Sequence, residues 1–191
     1  ADVGSFPANQ RYDRKLMNDP TARTIARWMA EGRAGPQMTE ALSSAVEAHG
    51  HLHFWRLAIK PGRPIALGQI VADARPVPFV GLPGNPVAAM VTFLRIARPM
   101  ILRMMGARDL APMFYRVRAD FEHRKKRDRR EWVRARLVSD GDGGLAARKF
   151  SRDGAGILSS LVESDGLVEL PEDMTRLAAG TVVDFLPFSE L

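Results

Sequence analysis

Two short stretches of the chain organise its fold: Phe54-Trp55-Arg56-Leu57-Ala58-Ile59-Lys60-Pro61-Gly62-Arg63-Pro64 and Gly81-Leu82-Pro83-Gly84-Asn85-Pro86. The first joins a β-prone apolar run to a segment in which two prolines forbid regular strand pairing. The second ends another apolar run, Val77–Leu82, and precedes a helical pattern. Strand, turn and helix in this order are the units of an α/β domain. We therefore expect strands at Phe54–Ile59 and Val77–Leu82, each leading into a rigid loop.

Three helical patterns accompany these strands. The longest begins at Pro86, where the missing N–H of proline costs nothing in a first helical turn, and Pro99 should bend or interrupt it. Upstream, capping and terminating residues predict a short helix at Pro20–Glu31. A further helix should begin at Thr39 and end at Gly50.

The pattern changes to short alternating strands after a linker at Gly106–Pro112. Glu131–Ser139 alternates polar and apolar residues, Asp140–Gly144 is a strong turn signal, and Leu145–Phe150 can return as the second arm of a hairpin. Further β-prone runs lie at Tyr115–Phe121, Leu167–Leu170 and Val182–Leu186. The sequence thus predicts an α/β domain at residues 1–108 and a small all-β, barrel-like domain at residues 113–191.

Composition restricts the classes of function without choosing one. The 191 residues carry 28 Lys+Arg against 22 Asp+Glu, a formal charge of +6, and 46% of them are hydrophobic, which favours a folded protein. Zero cysteines exclude disulfides, thiolate metal sites and a cysteine nucleophile. The excess of cations favours an anionic partner, namely nucleic acid, a membrane surface or a phosphorylated small molecule. The apolar stretch Val87–Met105 contains three arginines, so we expect a helix of a soluble protein rather than a membrane span.

The proline and glycine loops are the strongest candidate site. Ligands of open α/β sheets bind where strand ends and helix N-termini converge. Arg56, Lys60 and Arg63 lie on or beside the first loop, and their charges can neutralise a phosphate or another oxyanion. The alternative is that the prolines only stiffen connections and the cations are solvated, and residue types alone leave these two interpretations about even.

The basic run His123–Arg130 has two interpretations. Clustered cations can follow the phosphates of a nucleic acid. This run lacks interleaved aromatic residues for base stacking and sits between two predicted strands, which favours a solvated hairpin loop or an edge facing an anionic ligand.

Other polar patterns indicate little chemistry. His49, His51 and His53 alternate, and a metal site there is less favoured than polar residues at a helix-to-strand junction. No His or Lys partner is evident for the pair Ser159-Ser160, so a serine nucleophile is unsupported. The spacing of three carboxylates does not indicate acid–base catalysis: Asp109, Asp120 and Glu131.

Taken together, the two loops closely resemble the molybdopterin molybdenumtransferase family, whose eukaryotic relative is the E domain of gephyrin. The segment Asp128–Arg134 is similar to the family's Gly-Arg-x-Glu-Phe-x-Arg, and Gly166–Pro171 also aligns in order. The resemblance covers the chain from about His51 to its C-terminus. It implies a molybdopterin-binding α/β domain followed by a β domain.

The resemblance also implies an activity and a set of site residues. Family members insert molybdate into adenylylated molybdopterin and release AMP with the help of a divalent metal, normally magnesium. Arg134 matches a basic residue that the β domain contributes across a homodimer interface. By position, the catalytic residues are Lys60, Arg56 and Arg134, and the substrate-binding residues are Arg63, Pro83, Gly84, Asn85 and Pro86, while the metal ligands are unknown.

The chain departs from the family pattern ahead of its Phe-Trp strand. The family has Ser-Gly-Gly-x-Ser-x-Gly-Asp there, which supplies pterin contacts and an acidic metal-site residue, whereas this chain has Gly35–Thr39 and a helical pattern. The resemblance does not include the two N-terminal domains that the family has ahead of this region. We therefore expect an incomplete α/β domain, in a fragment or a divergent member. The alternative function is a non-catalytic molybdopterin-binding or scaffold module that has lost the acidic metal site.

The expected partners follow from the same resemblance. They are anionic small molecules, molybdopterin and molybdate, with no nucleic acid and no membrane. The chain opens without the cationic and apolar pattern of a signal peptide, as a processed chain or a piece of a longer one also would. The expected location is the cytoplasm, which fits the absence of cysteines but does not follow from it.

Overall fold

The chain forms two compact units in its computed structural model, which describes residues 36–72, 74–141, 143–151 and 157–190, with side chains from residue 43 onward. One unit consists of Leu67–Phe79 and the described part of Ala1–His53. The other consists of Phe54–Ala66 and the described part of Val80–Leu191. The expected helix at Pro20–Glu31 lies outside the described residues.

The first half of the chain supplies one helix and four strands. They are α1 (Pro36–His49), β1 (Gly50–Trp55), β2 (Ile59–Lys60), β3 (Ala66–Ala72) and β4 (Arg75–Gly81). Helix α1 confirms the helix expected before Gly50, although it begins three residues ahead of Thr39. Strands β1, β3 and β4 form a sheet in the order β1-β3-β4. Strand β3 was not predicted, because Gly68 breaks the β-prone pattern of this segment.

The predicted strand Phe54–Ile59 is wrong in its extent. Strand β1 ends at Trp55 because Arg56 adopts a positive φ of 66°, which turns the chain out of the sheet. Two backbone hydrogen bonds then close a loop, with the Arg56 N–H donating to Ile65 O at 3.1 Å and the Leu57 N–H donating to Arg63 O at 3.0 Å. Within that loop only β2 pairs with another strand.

The long helix expected after the second loop is interrupted, as predicted. It consists of α2 (Pro86–Thr92), a π-helical segment (Phe93–Ala97) and α3 (Arg98–Met104). Asn85 caps α2 by accepting a hydrogen bond from the Ala88 N–H at 3.4 Å. Pro99 lies in the first turn of α3, directly after the π-helical segment. Because proline has no N–H for the i→i−4 ladder, the helical hydrogen-bonding register changes ahead of it.

The C-terminal residues form a small barrel, as expected. Five strands close it in the order β7-β8-β5-β11-β9, with β9 pairing back to β7. Strand β2 joins the outside of this ring in parallel with β7. The remaining elements are a two-stranded β6–β10 ribbon, a short helix and a 3₁₀ turn. Their bounds are β5 (Tyr115–Ala119), β6 (His123–Arg124), β7 (Arg130–Ser139), β8 (Leu145–Lys149), α4 (Ser159–Val162), β9 (Gly166–Leu170), β10 (Arg176–Leu177), β11 (Val182–Pro187) and the 3₁₀ turn (Phe188–Glu190).

Two apolar clusters hold the larger unit together. One fills the barrel around the fully buried ring of Phe185. The other joins the first loop, helix α2 and the barrel wall through Ile65, Val87, Val91 and Trp132. This second cluster holds the candidate loops against strand β7. The compact units therefore group both loops with the barrel, whereas the domain boundaries at residues 1–108 and 113–191 stay a prediction.

Candidate functional site

Both proline and glycine loops line one cavity of about 430 Å³ in the larger unit. Residues of strand β7 and of the end of β8 also line it. Of the predicted site residues, the cavity lining includes Lys60, Arg63, Pro83, Gly84, Asn85 and Arg134. Arg56 and Pro86 are not among the lining residues, since Arg56 lies at the base of the first loop and Pro86 in the first turn of α2.

The first loop reaches the cavity because of Gly62. This glycine has φ +106°, and a Cβ added to it would lie 2.1 Å from Thr92 Cγ2. Thr92 is fully buried in α2, and its hydroxyl donates to Ala88 O at 2.7 Å. The loop can therefore pack against the helix only with a residue that lacks a side chain.

The cavity is strongly cationic. One carboxylate, Glu131, lines it together with His123 and five lysine or arginine side chains: Lys60, Arg63, Arg129, Arg134 and Lys149. Such a concentration of cations in a concave site favours binding of a multiply charged anion.

Glu131 is in direct contact with three of these side chains and is only 2% exposed. Its Oε2 is 3.5 Å from Lys60 Nζ and 3.1 Å from His123 Nε2, while Arg129 Nε donates to its Oε1 at 3.0 Å. Burial raises the pKa of Glu131, but the hydrogen bonds from His123 and Arg129 and the charges of Lys60 and Arg129 outweigh burial and hold that pKa below its ordinary value. The carboxylate therefore stays ionised at neutral pH.

Arg134, on strand β7, is held in the cavity lining by neighbouring side chains. Its guanidinium donates to Ser160 Oγ and lies 5.9 Å from the centre of the Phe150 ring. Ser160 is buried, and its hydroxyl donates to Ile157 O, which is a structural role rather than that of a nucleophile. Arg134 reaches the same cavity as Lys60 within one chain, so a second chain is not needed to bring these two residues together.

The described residues do not fit a magnesium site. They contain no group of three or more His, Cys, Asp or Glu side chains that could hold a metal ion. Magnesium requires oxygen ligands, and both oxygens of Glu131 are already engaged by cations. His51 and His53 lie exposed on β1 without such a group around them.

The basic run at residues 123–130 is partly committed to contacts within the chain. His123 and Arg129 bind Glu131, and Arg130 pairs with Glu169 and Glu172. The Lys125 ammonium donates to three backbone carbonyls, at Lys126, Glu172 and Met174. These contacts favour the interpretation of this run as part of the cavity wall and its supporting ribbon.

The predicted site residues did not include four residues that line the cavity, namely His123, Arg129, Glu131 and Lys149. Two signals were available: the basic run, which contains His123 and Arg129, and the segment similar to Gly-Arg-x-Glu-Phe-x-Arg, which contains Arg129 and Glu131. The pairing of β2 with β7 sets Lys60 opposite Glu131, and no local pattern reveals such a pairing.

Within the described ranges, no helix combines the length and apolar character that crossing a membrane requires.

Comparisons with known proteins identify the family. Residues 32–103 match the family described as "Probable molybdopterin binding domain", and residues 116–188 match "MoeA C-terminal region (domain IV)". A molybdopterin molybdenumtransferase of Haemophilus influenzae is 30% identical over 192 residues, which span 100% of this chain and 46% of that protein. The molybdenum cofactor synthesis protein cinnamon of Drosophila melanogaster is 35% identical over 73% of this chain and 23% of its own length.

A solved structure supports the same assignment. The molybdopterin biosynthesis MoeA protein of Pyrococcus horikoshii superposes with a TM-score of 0.63 and 27% identity, over 78% of this chain and 35% of that chain. The chain spans less than half the length of the curated relatives that it matches. The paired loops, the barrel and these relatives agree, and the chain belongs to the molybdopterin molybdenumtransferase family.

Proposed function

We propose that this chain acts in molybdenum cofactor biosynthesis and carries part of a molybdenumtransferase site, which inserts molybdate into adenylylated molybdopterin and releases AMP. The proposal includes a cytoplasmic location and, carried over from the family resemblance, a homodimer of the full-length protein. The observation that supports the activity is the cavity in which two rigid loops and a barrel wall present five lysine or arginine side chains.

The charges of the cavity match the proposed substrates. Molybdate is a dianion, and adenylylated molybdopterin carries phosphate groups, so bringing them together costs electrostatic repulsion. In the proposed complex, Lys60, Arg63 and Arg134 reduce this repulsion, and the guanidinium groups can bind oxyanion oxygens in pairs. Fixed cations of this kind lower a reaction barrier where negative charge accumulates, without a protein nucleophile.

Three further predicted contacts come from the second loop. In the proposal, Pro83, Gly84 and Asn85 shape the pocket on the substrate side. Arg56 and Pro86, which lie outside the cavity lining, would act by holding the bases of the two loops. Magnesium would need ligands from outside the described residues, and we assign no step to it.

The decisive experiment mixes the chain with adenylylated molybdopterin, molybdate and magnesium and measures the release of AMP by chromatography. AMP release that depends on molybdate is the expected result. A matched reaction without molybdate controls for simple hydrolysis. If the pterin binds and AMP is not released, this chain does not carry the transferase activity.

One observation favours the second candidate, a non-catalytic molybdopterin-binding or scaffold module. The described residues contain no acidic cluster for a metal, although the cationic cavity is intact. This candidate predicts pterin or molybdate binding without AMP release, so the same experiment separates the two.

We propose no nucleic-acid partner, because four residues of the basic run are engaged within the chain: His123, Lys125, Arg129 and Arg130.

A further inference from the structure

Glu131 is an unusual member of a cavity lined by cations. It is the one carboxylate among the lining residues, it is 2% exposed, and it stays ionised because its cationic partners lower its pKa. By Coulomb's law alone, a negative charge in this wall weakens the binding of an anion. A buried charge is also costly to keep unless its partners compensate for the lost hydration.

The contacts of Glu131 reach three separate segments. Lys60 belongs to β2, His123 to β6, and Arg129 precedes β7, which contains Glu131 itself. Both carboxylate oxygens are used, Oε1 by Arg129 and Oε2 by His123 and Lys60. The strand register sets the backbone of Lys60 directly opposite that of Glu131, so the pairing of β2 with β7 fixes the backbone positions of both residues.

We propose that Glu131 is a positioning residue, which holds the Lys60 ammonium and the Arg129 guanidinium against the cavity so that they meet the oxyanion in a fixed geometry. The Lys60 side chain is 53% exposed, and a long side chain in that situation samples many rotamers unless something restrains it. Restraint before binding reduces the entropy lost when the anion arrives. This inference rests on the proposed function, because it assumes that an oxyanion occupies the cavity.

A positioning role and a pure charge effect predict changes of opposite sign in the affinity for the anion when Glu131 is replaced. Replacement of Glu131 by Gln removes a negative charge from the cavity wall, so a charge effect alone would tighten anion binding. Loss of positioning releases Lys60 and Arg129 and weakens binding. The sign of the change in affinity therefore decides between them.

The test measures the affinity of the full chain for orthomolybdate, and separately for inorganic phosphate, by isothermal titration calorimetry. Glu131→Gln should weaken binding about tenfold, the size of a typical coupling between contacting residues. Glu131→Asp keeps the charge but shortens the side chain by one methylene, and it should also weaken binding. This second variant provides the measurement if the Gln variant does not fold. Asp184→Asn is the control, since Asp184 also forms an ion pair with an arginine but does not line the cavity, and this variant should bind each anion with the affinity of the wild type.

A double-mutant cycle adds a result that general structural damage would not produce. In a Lys60→Met background, Glu131→Gln should cost clearly less affinity than in the wild type, because the main group that it positions is gone. Equal or tighter binding by Glu131→Gln, or strictly additive effects in the cycle, would overturn the positioning role alone. A wild-type chain that binds neither anion would overturn the proposed function and this inference together.

Discussion

Gly62 decides whether the first loop can lie against helix α2. It combines a positive φ of +106° with a close approach to Thr92, whose methyl group occupies the space that a Cβ would need. Either condition alone disfavours another residue, and together they restrict the position to glycine. The loop geometry that carries Lys60 and Arg63 therefore depends on one residue that has no side chain.

Gly62→Ala should lower the free energy of unfolding by about 1–3 kcal/mol, because it adds backbone strain and a steric overlap. Urea denaturation measures the change. Gly84→Ala is the matched control, since a Cβ there meets no atom within 4 Å, and it should leave stability nearly unchanged. Equal stability of the two variants would contradict the packing described for the loop.

Glu131 makes the stability of the chain depend on pH. Its folded pKa lies below the ordinary value of 4.5, so its ion pairs contribute stability at pH values above 4.5 and lose that contribution as the pH falls through the folded pKa. The difference in unfolding free energy between the wild type and Glu131→Gln should therefore be largest near neutral pH and shrink in acid. Denaturation curves of both proteins over a pH series measure this difference, and a constant difference would contradict the ion pairs.

The π-helical segment adds a polar link between the helices and the barrel to the apolar contacts of α2. It contains Arg95, whose guanidinium binds Glu169 Oε2 of β9 at 2.9 Å and lies 5.2 Å from the centre of the Phe114 ring. Glu169 also accepts hydrogen bonds from Trp132 Nε1 at 2.7 Å and from Arg130 at 2.9 Å. A single carboxylate thus links the helical segment with two barrel strands, and it holds Trp132 in the cavity wall.

Glu169→Gln should lower the free energy of unfolding by about 3 kcal/mol, as is typical when one partner of a largely buried ion pair is removed. The control is Asp184→Asn, which removes the exposed ion pair with Arg116 and should cost less than about 1 kcal/mol. Thermal or urea unfolding of both variants tests the contrast. Similar losses in both would show that the Glu169 network contributes no more than a surface pair.

The cavity exists only in the whole larger unit. Lys60 and Arg134 lie far apart in the chain, and they meet because β2 pairs with β7 and an apolar cluster packs the first loop and α2 onto the barrel. The excess of cations noted in the composition is thereby concentrated in part on one concave surface.

Lys60→Ala and Arg134→Ala should each weaken molybdate binding about tenfold, since each removes a charged contact, without unfolding the protein. Calorimetry gives the affinity, and circular dichroism verifies the fold. Arg116→Ala, which removes a cation that does not line the cavity, is the control and should bind like the wild type. If both cavity variants bound molybdate with unchanged affinity, the anion would bind outside this cavity.

Local patterns predicted much of the fold because turns and periodicity are local properties. Pro99 predicted the interruption of the long helix, and the glycines after Asp140 predicted the turn between β7 and β8. The predicted strand Phe54–Ile59 is longer than the observed one, because the chain turns at Arg56, which has a positive φ. That turn goes with two hydrogen bonds across the loop, from Arg56 N–H to Ile65 O and from Leu57 N–H to Arg63 O, which no local pattern predicts. Strand β3 was missed, because sheet pairing stabilises it in spite of Gly68.

The sequence by itself determined the order of elements, the rigid proline and glycine loops, the cationic balance and the resemblance to the family. These features depend on composition and on short stretches of consecutive residues, so they can be recognised without the three-dimensional structure. Only the tertiary structure decided which cations share a cavity and that Glu131 lies among them. Strand pairing and burial bring together residues such as Lys60 and Glu131 that are distant in the chain, and no local pattern encodes those contacts. For the same physical reason, the predicted site residue Arg56 does not line the cavity, whereas Arg129, which was not predicted, does.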